Sequence, residues 1–496
     1  MFKKITPEQA GISSETVIKF IKALEKRGAA THGLLFMRGD KIFTEAYWKP
    51  FHKEFQHRMY SQTKSFVGIA IGLLEEEGKL SLDDKILDYF PEKIDGALMK
   101  YIGEQTIREM LQMKTLGKSA GWFTSGDPDR THHYFNDVRL THPSGTLWCY
   151  DSPGSQVLCA LVEKLSGKKL LEYMKEKLFN EMGYFQGATV LETPNGDSWG
   201  DSAMICTLRD MAAFGQLVKN YGVWNGKRLM NEEYLREATS NLSDNRENAH
   251  YNACYQGYGY QIWRVCGGGI AFIGMGDQIT VFYPEKDLLF ACVSDNQGTQ
   301  FIRQMIFTTL EDMFVGQIQN EPLPENKEAQ AKLEELIAGL ELRHAQGAED
   351  SPFRKELDGT EYICEENPMG ITKFSFHFND AKTGEFRYTN AQGDKVLPFG
   401  VNHNVFGKFP QLGYANDRGA VPTTDGYMHK DAVSFAWAEP KKIIVLVQII
   451  DRYFGNMSMT FGFKGDEVYA IFSKTAEDFL AEYAGCLVGK KLQRKL

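Results

Sequence analysis

No stretch of this sequence approaches the roughly 18 consecutive apolar residues that a membrane-spanning helix needs, so no helical span is expected. Its eight cysteines, at 149, 159, 206, 254, 266, 292, 364 and 486, include no Cys-x-x-Cys pair and no zinc-ligand spacing. Scattered in this way they imply neither a disulfide framework nor a metal centre, and free thiols in a reducing cytoplasm are expected. Positive charge is in short supply: 56 Lys and Arg against 65 Asp and Glu leave a net charge of −9. That balance argues against nucleic-acid partners and against a polybasic membrane patch. The N-terminal MFKKITPEQAGISSETVIKF has no apolar core followed by a small-residue cleavage site, so no leader is read and cytoplasmic placement is expected. Internal repeats and low-complexity tracts are also missing.

What remains is ordinary globular composition, 43% hydrophobic and 24% charged, over 496 residues, a length that favours two domains. SSETVIKFIKALEKRG (13–28) reads as a capped helix with apolar residues at Val17, Phe20, Ile21 and Leu24, stopped by Gly28. GLLFMRGDKIFTEAYW reads as a hairpin whose turn contains Arg38-Gly39-Asp40, a turn composition and not an adhesion motif. Helical patterns dominate from 61 to about 240. Strand patterns return in YGYQIWRV, IAFIGMG and DQITVFYPEKDLLFACVSD, followed by a helix at 301–314. Strands at both ends of a helical insertion predict an α+β domain over 1–316. Residues 317–351 read as a charged linker carrying a helix. The runs KFSFHF, EFRYT, VSFAWA, KKIIVLVQII, MSMTFGF and EVYAIF then predict an all-β domain over 352–496, a sandwich or a barrel.

One stretch carries chemistry. In MYSQTKSFVGIAIGLLEEEGKL, apolar residues at Phe66, Ile69, Ala70, Leu73 and Leu74 mark a buried helix ended by Gly78. Ser61 and Lys64 stand at its start, one turn apart, so their side chains can meet. A lysine in a partly dry site can serve as base toward a serine, whereas the plainer reading of such residues is a solvated cap. Ser-x-x-Lys is a cheap pattern, for Ser166-Gly167-Lys168-Lys169 also matches at a turn between helices. Gly117-Lys118-Ser119-Ala120-Gly121 matches the nucleophile elbow G-x-S-x-G, but follows a helical pattern where that elbow needs a strand. A second clue is HPSGTLWCYDSPGSQVLCALVEKLSG, where Tyr150-Asp151-Ser152 precede another apolar helix and the phenol could relay a proton. His132, His133 and His142 lack the partners of a metal site, and Gly267-Gly268-Gly269 lacks the helix of a phosphate loop.

Taken in order, YSQTKSFVGIAIGLLEEEGKLSLDDKILDYFPE, TIREMLQM, the Tyr150 segment, DSAMICTLRDMAAFGQLVKNYGVWNGKRL, YGYQIW and GMGDQITVFYPEKDLLF resemble the serine β-lactamase and penicillin-binding-protein superfamily. The resemblance covers roughly residues 5 to 315. It is to the class C-like branch that holds esterases, D-aminopeptidases and amide hydrolases such as 6-aminohexanoate-dimer hydrolase. It implies a β-lactamase-like antiparallel sheet flanked by helices, with an all-helical subdomain and the nucleophile in the cleft between them.

The resemblance further implies that Ser61 is the acyl-accepting nucleophile, that Lys64 and Tyr150 share its proton, and that no metal or organic cofactor takes part. Which of Lys64 and Tyr150 is the base stays open. Ser152 stands where the family usually has Asn, and the third motif falls on Phe272-Ile273-Gly274 without its usual cation. Backbone N–H groups of Ser61 and Met275 would form the oxyanion hole, each worth about 3 kcal/mol in the transition state. Ser152, Phe272 and Gly274, with the acids Asp151 and Asp277, would line the substrate. With Phe272 in place of a cation and Asp151, Asp201 and Asp277 nearby, the expected substrate is a small ester or amide that is neutral or carries an amine. Two other readings remain, a catalytically silent binding protein of this fold and a penicillin-binding or weak β-lactamase activity; self-association is open.

Overall fold

The computed structural model describes residues 2–96, 100–117, 126–137, 142–246, 252–297, 300–411, 428–451, 454–475 and 483–492. The Gly117–Gly121 motif falls almost wholly outside them. The chain divides into two compact units between Glu341 and Leu342.

In the first unit, seven strands form one sheet: β1 Lys3–Lys4, β2 Thr31–Arg38, β3 Lys41–Tyr47, β4 Trp263–Val265, β5 Gly269–Gly274, β6 Gln278–Tyr283 and β7 Leu288–Ser294. Their order is β1-β3-β2-β7-β6-β5-β4, antiparallel throughout except for β1 on β3. The hairpin near the N-terminus thus lies beside β7, with Phe36 opposite Phe290. Strand periodicity makes both faces apolar. Leu35, Met37, Phe272 and Phe282 point into one core, and Leu34, Phe36, Ala271 and Phe290 into the other.

Six helices cover these faces: α1 Ser14–Lys26, α2 Thr63–Glu76, α3 Ser152–Ser166, α4 Leu208–Lys219, α5 Gln300–Leu310 and α6 Lys327–Ala338. The first core takes α2, α3 and α4 through residues such as Phe66, Leu158 and Phe214; the second takes α1, α5 and α6 through Phe20, Ile306 and Leu333. Ser13 caps α1 by accepting the Thr16 N–H at 3.2 Å, as the sequence suggests. The stretch expected to be a linker holds α6, whose Leu333 is buried in the second core. In YGYQIWRV only Trp263–Val265 is strand. Gln261, at φ +58°, instead ties helices together: its carbonyl accepts from Ser65 Oγ at 2.8 Å and its side-chain carbonyl from Ser155 Oγ at 2.7 Å.

The second unit resolves the choice between sandwich and barrel. Its strands are β8 Glu361–Cys364, β9 Lys373–Phe378, β10 Thr383–Asn390, β11 Gly393–Val401, β12 Val405–Lys408, β13 Lys430–Glu439, β14 Lys442–Ile450, β15 Phe454–Lys464, β16 Glu467–Thr475 and β17 Gly485–Lys491. They run β11-β10-β9-β8-β17-β16-β15-β14-β13-β12, and a parallel pairing of Gly400–Val401 with Ser434–Phe435 closes β11 onto β13. Alternation supplies the interior: Ile443, Val445, Val447 and Ile449 of β14 point inward beside Phe374, Phe376, Phe386, Phe435 and Phe461. Closure removes the open sheet edges, and the aromatic rings fill the inside. Among the described residues, no helix is long and apolar enough to cross a membrane.

Candidate active site

Ser61 sits on a tight turn, not inside a helix. Tyr60–Gln62 form a single 3-10 turn that runs into α2, and Tyr60 is held at φ +47°, a conformation costly for a bulky residue. Several bonds fix the turn. Met59 N–H donates to Met204 O at 2.8 Å, Thr63 Oγ1 to Tyr60 O at 2.6 Å, and Met204 N–H to Thr63 Oγ1 at 3.0 Å. Gln62 Oε1 accepts from Thr280 Oγ1 at 2.9 Å, which ties the turn to β6.

Lys64, one helical turn on, is 1% exposed. Its Nζ lies 3.0 Å from Ser61 Oγ, donates to Asp201 O at 2.6 Å, and stands 3.7 Å from Asp201 Oδ2. The Tyr150 ring centroid is 5.2 Å from the same nitrogen. Burial pushes the Asp201 carboxyl up from its ordinary value, opposed by Lys64, Arg130 and Arg58. Both arginines flank the Trp199 ring, at 4.6 and 4.4 Å from its centroid, so Asp201 lies in a buried field of cations. Asp151 is fully enclosed, and burial lifts its pKa to about 6 against the pull of Thr115 and the Gly154 N–H.

Ser61 opens on a cavity of about 380 Å³ in the first unit. Tyr150, Tyr255 and Trp263 make its aromatic wall, with Tyr150 and Trp263 stacked at 5.4 Å and Tyr255 edge-on to Trp263 at 5.3 Å. Gly274, Met275 and Asp277 bound the other side. Only glycine fits at 274, because a Cβ there would come within 2.2 Å of Met59 O; this close approach sets the end of β5 against the Ser61 turn. Among the described residues, neither the Ser61 nor the Met275 backbone N–H is taken up by a hydrogen bond.

Of the residues singled out in the sequence, Ser61, Tyr150, Gly274, Met275 and Asp277 line this cavity, and Lys64 backs Ser61. Three others need correction as substrate contacts. The Phe272 side chain is fully buried on the opposite face of β5, packed on Phe214 at 5.2 Å and Phe282 at 5.8 Å, because alternate strand residues face opposite ways. Asp151 is buried behind the site beside Thr115, and Ser152, the first residue of α3, is absent from the lining. The third motif itself has no cation, but a guanidinium reaches the cavity from another element. Arg303 of α5 lines the cavity, its Nε 2.8 Å from Asp277 Oδ1 and its Nη2 3.2 Å from Gly274 O. Burial raises the Asp277 carboxyl, and Arg303 opposes that shift. Sequence reasoning passed over Arg303, although a lone arginine inside the apolar FIRQMIF was the available signal.

A family model described as Beta-lactamase matches residues 17–308, more than half of the chain. The chain belongs to the beta-lactamase family. Within this family of hydrolases, 6-aminohexanoate-dimer hydrolase of Paenarthrobacter ureafaciens is 25% identical over 247 residues, covering 46% of this chain and 63% of that protein. The chain thus spans less than two thirds of that relative's length. A Bacillus anthracis structure provisionally named as a 6-aminohexanoate-dimer hydrolase superposes with a TM-score of 0.53 at 17% identity, over 64% of this chain and 89% of its own. A penicillin-binding-protein homologue from Caulobacter crescentus gives 0.51 at 12% identity, over 61% and 99%. At such identities the likeness is one of fold.

Proposed function

We propose that this beta-lactamase-family chain is a serine hydrolase that forms an acyl-enzyme on Ser61 and cleaves a small ester or amide. The observation that carries the reading is the 3.0 Å contact of Lys64 Nζ with Ser61 Oγ at the floor of an open cavity. Ser61 Oγ attacks the substrate carbonyl carbon while its proton passes to the Lys64–Tyr150 pair. The tetrahedral oxyanion is held by the N–H groups of Ser61 and Met275. Collapse breaks the bond to the alcohol or amine, which leaves with the proton returned by the same pair. Water then adds to the acyl ester, gives up a proton by the same route, and releases the carboxylic acid and Ser61.

The wall favours a substrate without net charge at this point. The carboxylate of Asp277 and the guanidinium of Arg303 neutralise each other, so neither is spare for a charged partner, and three aromatic rings supply contact area. A fluorophosphonate probe tests the reading, since it phosphonylates activated serines. Wild-type protein should be labelled, and Ser61→Ala should lose labelling and ester turnover by more than about a thousandfold. A wild-type protein that takes no label beside a reactive control hydrolase would leave the catalytically silent reading in its place. Efficient turnover of a chromogenic cephalosporin would overturn the neutral-substrate preference alone.

A further inference from the structure

The turn Gly274-Met275-Gly276-Asp277 joins β5 to β6 at the edge of the cavity, and each of its carbonyls is occupied. Gly274 O accepts from Arg303 Nη2 at 3.2 Å and Met275 O from Gln278 Nε2 at 3.1 Å. Gly276 O accepts from the Asn296 N–H at 3.0 Å, and Asp277 O from Cys292 Sγ at 3.5 Å. The same Gln278 Nε2 reaches Ser294 O at 2.5 Å, so β7 shares the load. Gly276 and Asp277 sit at φ +73° and +67°, a pair of left-handed residues that turns consecutive N–H groups away from the sheet ladder. The N–H groups of Met275, Gly276 and Asp277 are all without a hydrogen-bond partner among the described residues, and Met275 is the first of them after β5.

Arg303 holds both ends of the turn. Its Nε binds the Asp277 carboxylate at 2.8 Å while its Nη2 binds the Gly274 carbonyl, and the rigid guanidinium plane fixes the separation of the two. A lysine could make one of these bonds and not the fork. The guanidinium is anchored on α5, which packs in the second core through Ile302 and Ile306, so the helix is a fixed strut and not a flexible arm.

We infer that Arg303 is a positioning residue, one that clamps the turn from Gly274 to Asp277 so that the Met275 N–H points at the developing oxyanion before substrate arrives. The inference rests on the serine-hydrolase reading and on Met275 as an oxyanion donor. A donor that is already aimed costs no reorganisation in the transition state, whereas a mobile one loses much of its effect. Its loss should therefore be felt in the rate of the chemical step and little in ground-state binding.

The experiment is the full-length protein with Arg303→Lys and Arg303→Ala, assayed on an activated aryl ester. Arg303→Lys should lower kcat by about tenfold and Arg303→Ala by about a hundredfold, with KM within about twofold of wild type. Added guanidinium at non-denaturing concentration should restore part of the Arg303→Ala rate. The decisive readout is infrared spectroscopy of an isotopically edited cinnamoyl acyl-enzyme. Its ester carbonyl should absorb at lower frequency in wild type, and at higher frequency with a broader band in either variant. A variant that acylates Ser61 with an unchanged carbonyl band overturns the clamp while leaving the hydrolase reading standing. A rise in KM at constant kcat would likewise overturn it, making Arg303 a substrate contact. A wild-type protein that forms no acyl-enzyme overturns the hydrolase reading itself, and the clamp with it.

Discussion

The two units differ in how much backbone strain and how many buried ionisable groups they hold. Around the cavity, Tyr60, Gln261 and Asp277 all hold positive φ without being glycine, and Lys64, Asp201 and Asp277 are buried charges. In the second unit, Asn402 is the one described non-glycine residue at positive φ, in the turn from β11 to β12, and the barrel is filled with phenylalanine. Each strained residue costs on the order of 1–3 kcal/mol, and each buried ion must be offset by partners. The first unit carries such costs at the Ser61 cavity and elsewhere, for Tyr101, Met113, Phe185, Tyr221, Asn225 and Asp287 are also non-glycine residues at positive φ. The barrel holds fewer of them, one strained residue at Asn402 and a buried carboxyl at Asp431, and its interior is mostly packed aromatic and aliphatic side chains. The contrast teaches where chemistry is to be sought.

Gly274→Ala attacks the contrast at its strongest point. The new methyl would meet Met59 O, a backbone atom on the Ser61 turn that cannot simply rotate away. The end of β5 must then move off the nucleophile, taking the Met275 N–H with it. Activity toward an aryl ester is expected to fall by about a hundredfold or more, the scale of one lost oxyanion donor. Fluorophosphonate labelling would slow in parallel while the urea midpoint of the barrel stays in place. Activity close to wild type would mean that β5 and the Ser61 turn are not coupled.

Phe461→Ala is the converse. Phe461 is fully buried and touches Phe374, Phe376, Phe386 and Phe472 at centroid distances of 5.2 to 5.7 Å. Truncation leaves a cavity in a closed aromatic interior and should cost about 3–5 kcal/mol. Urea unfolding, with hydrogen exchange of peptides from each unit, would place the loss in the barrel. The labelling rate of Ser61 in molecules still folded should be unchanged. A slowed rate would assign the barrel a part in the site.

The sequence made the frame of this contrast legible for definite reasons. The strand alternation in KKIIVLVQII and MSMTFGF has to bury one face. The spacing of three between Ser61 and Lys64 at a helix start makes their contact legible, although the turn that carries Ser61 is held by bonds to Met204 and Thr280 that the local sequence does not announce. The family motifs, met in order, carried the fold. Three things were hidden. The side chain of Phe272 could not be assigned to a face, because β5 is buried on both sides and its apolar run carries no alternation. Arg303 comes to the cavity from a helix about 240 residues after Ser61, a distance that local pattern does not bridge. The surroundings of Lys64 are equally non-local, since Arg58, Arg130 and Asp201 meet only when the three segments fold. Barrel closure through Gly400–Val401 and Ser434–Phe435 depends on a short parallel pairing with no turn between the strands to announce it.

One buried carboxyl in each unit gives an effect that vanishes near pH 4 and grows only as the pH rises. Burial lifts Asp151 to about 6 and Asp431 of β13 to about 7, the latter opposed by the Gly407 N–H. In the unfolded chain both would titrate near 3.9. Between that value and its folded pKa, each acid is ionised when unfolded and protonated when folded. The unfolded state therefore binds fewer protons, and stability must fall as pH rises through this window. Below about pH 4 the stabilising effect of the neutral carboxyl is fully present, and above the folded pKa it is lost. Asp151→Asn and Asp431→Asn remove the titration and keep the shape. Each should be nearly neutral at pH 4 and stabilising at pH 8, by about 3 kcal/mol for Asp151→Asn and about 4 kcal/mol for Asp431→Asn, with the gain in the unit that carries the change. Urea midpoints at the two pH values, again resolved by hydrogen exchange, give both numbers. The pair also sharpens the contrast between the units. Asp151 starts the helix behind Tyr150, so its substitution should move the pH profile of ester hydrolysis, whereas Asp431→Asn should leave that profile where it is. Equal effects of the two substitutions on the profile would mean that the barrel, too, holds a group the reaction senses.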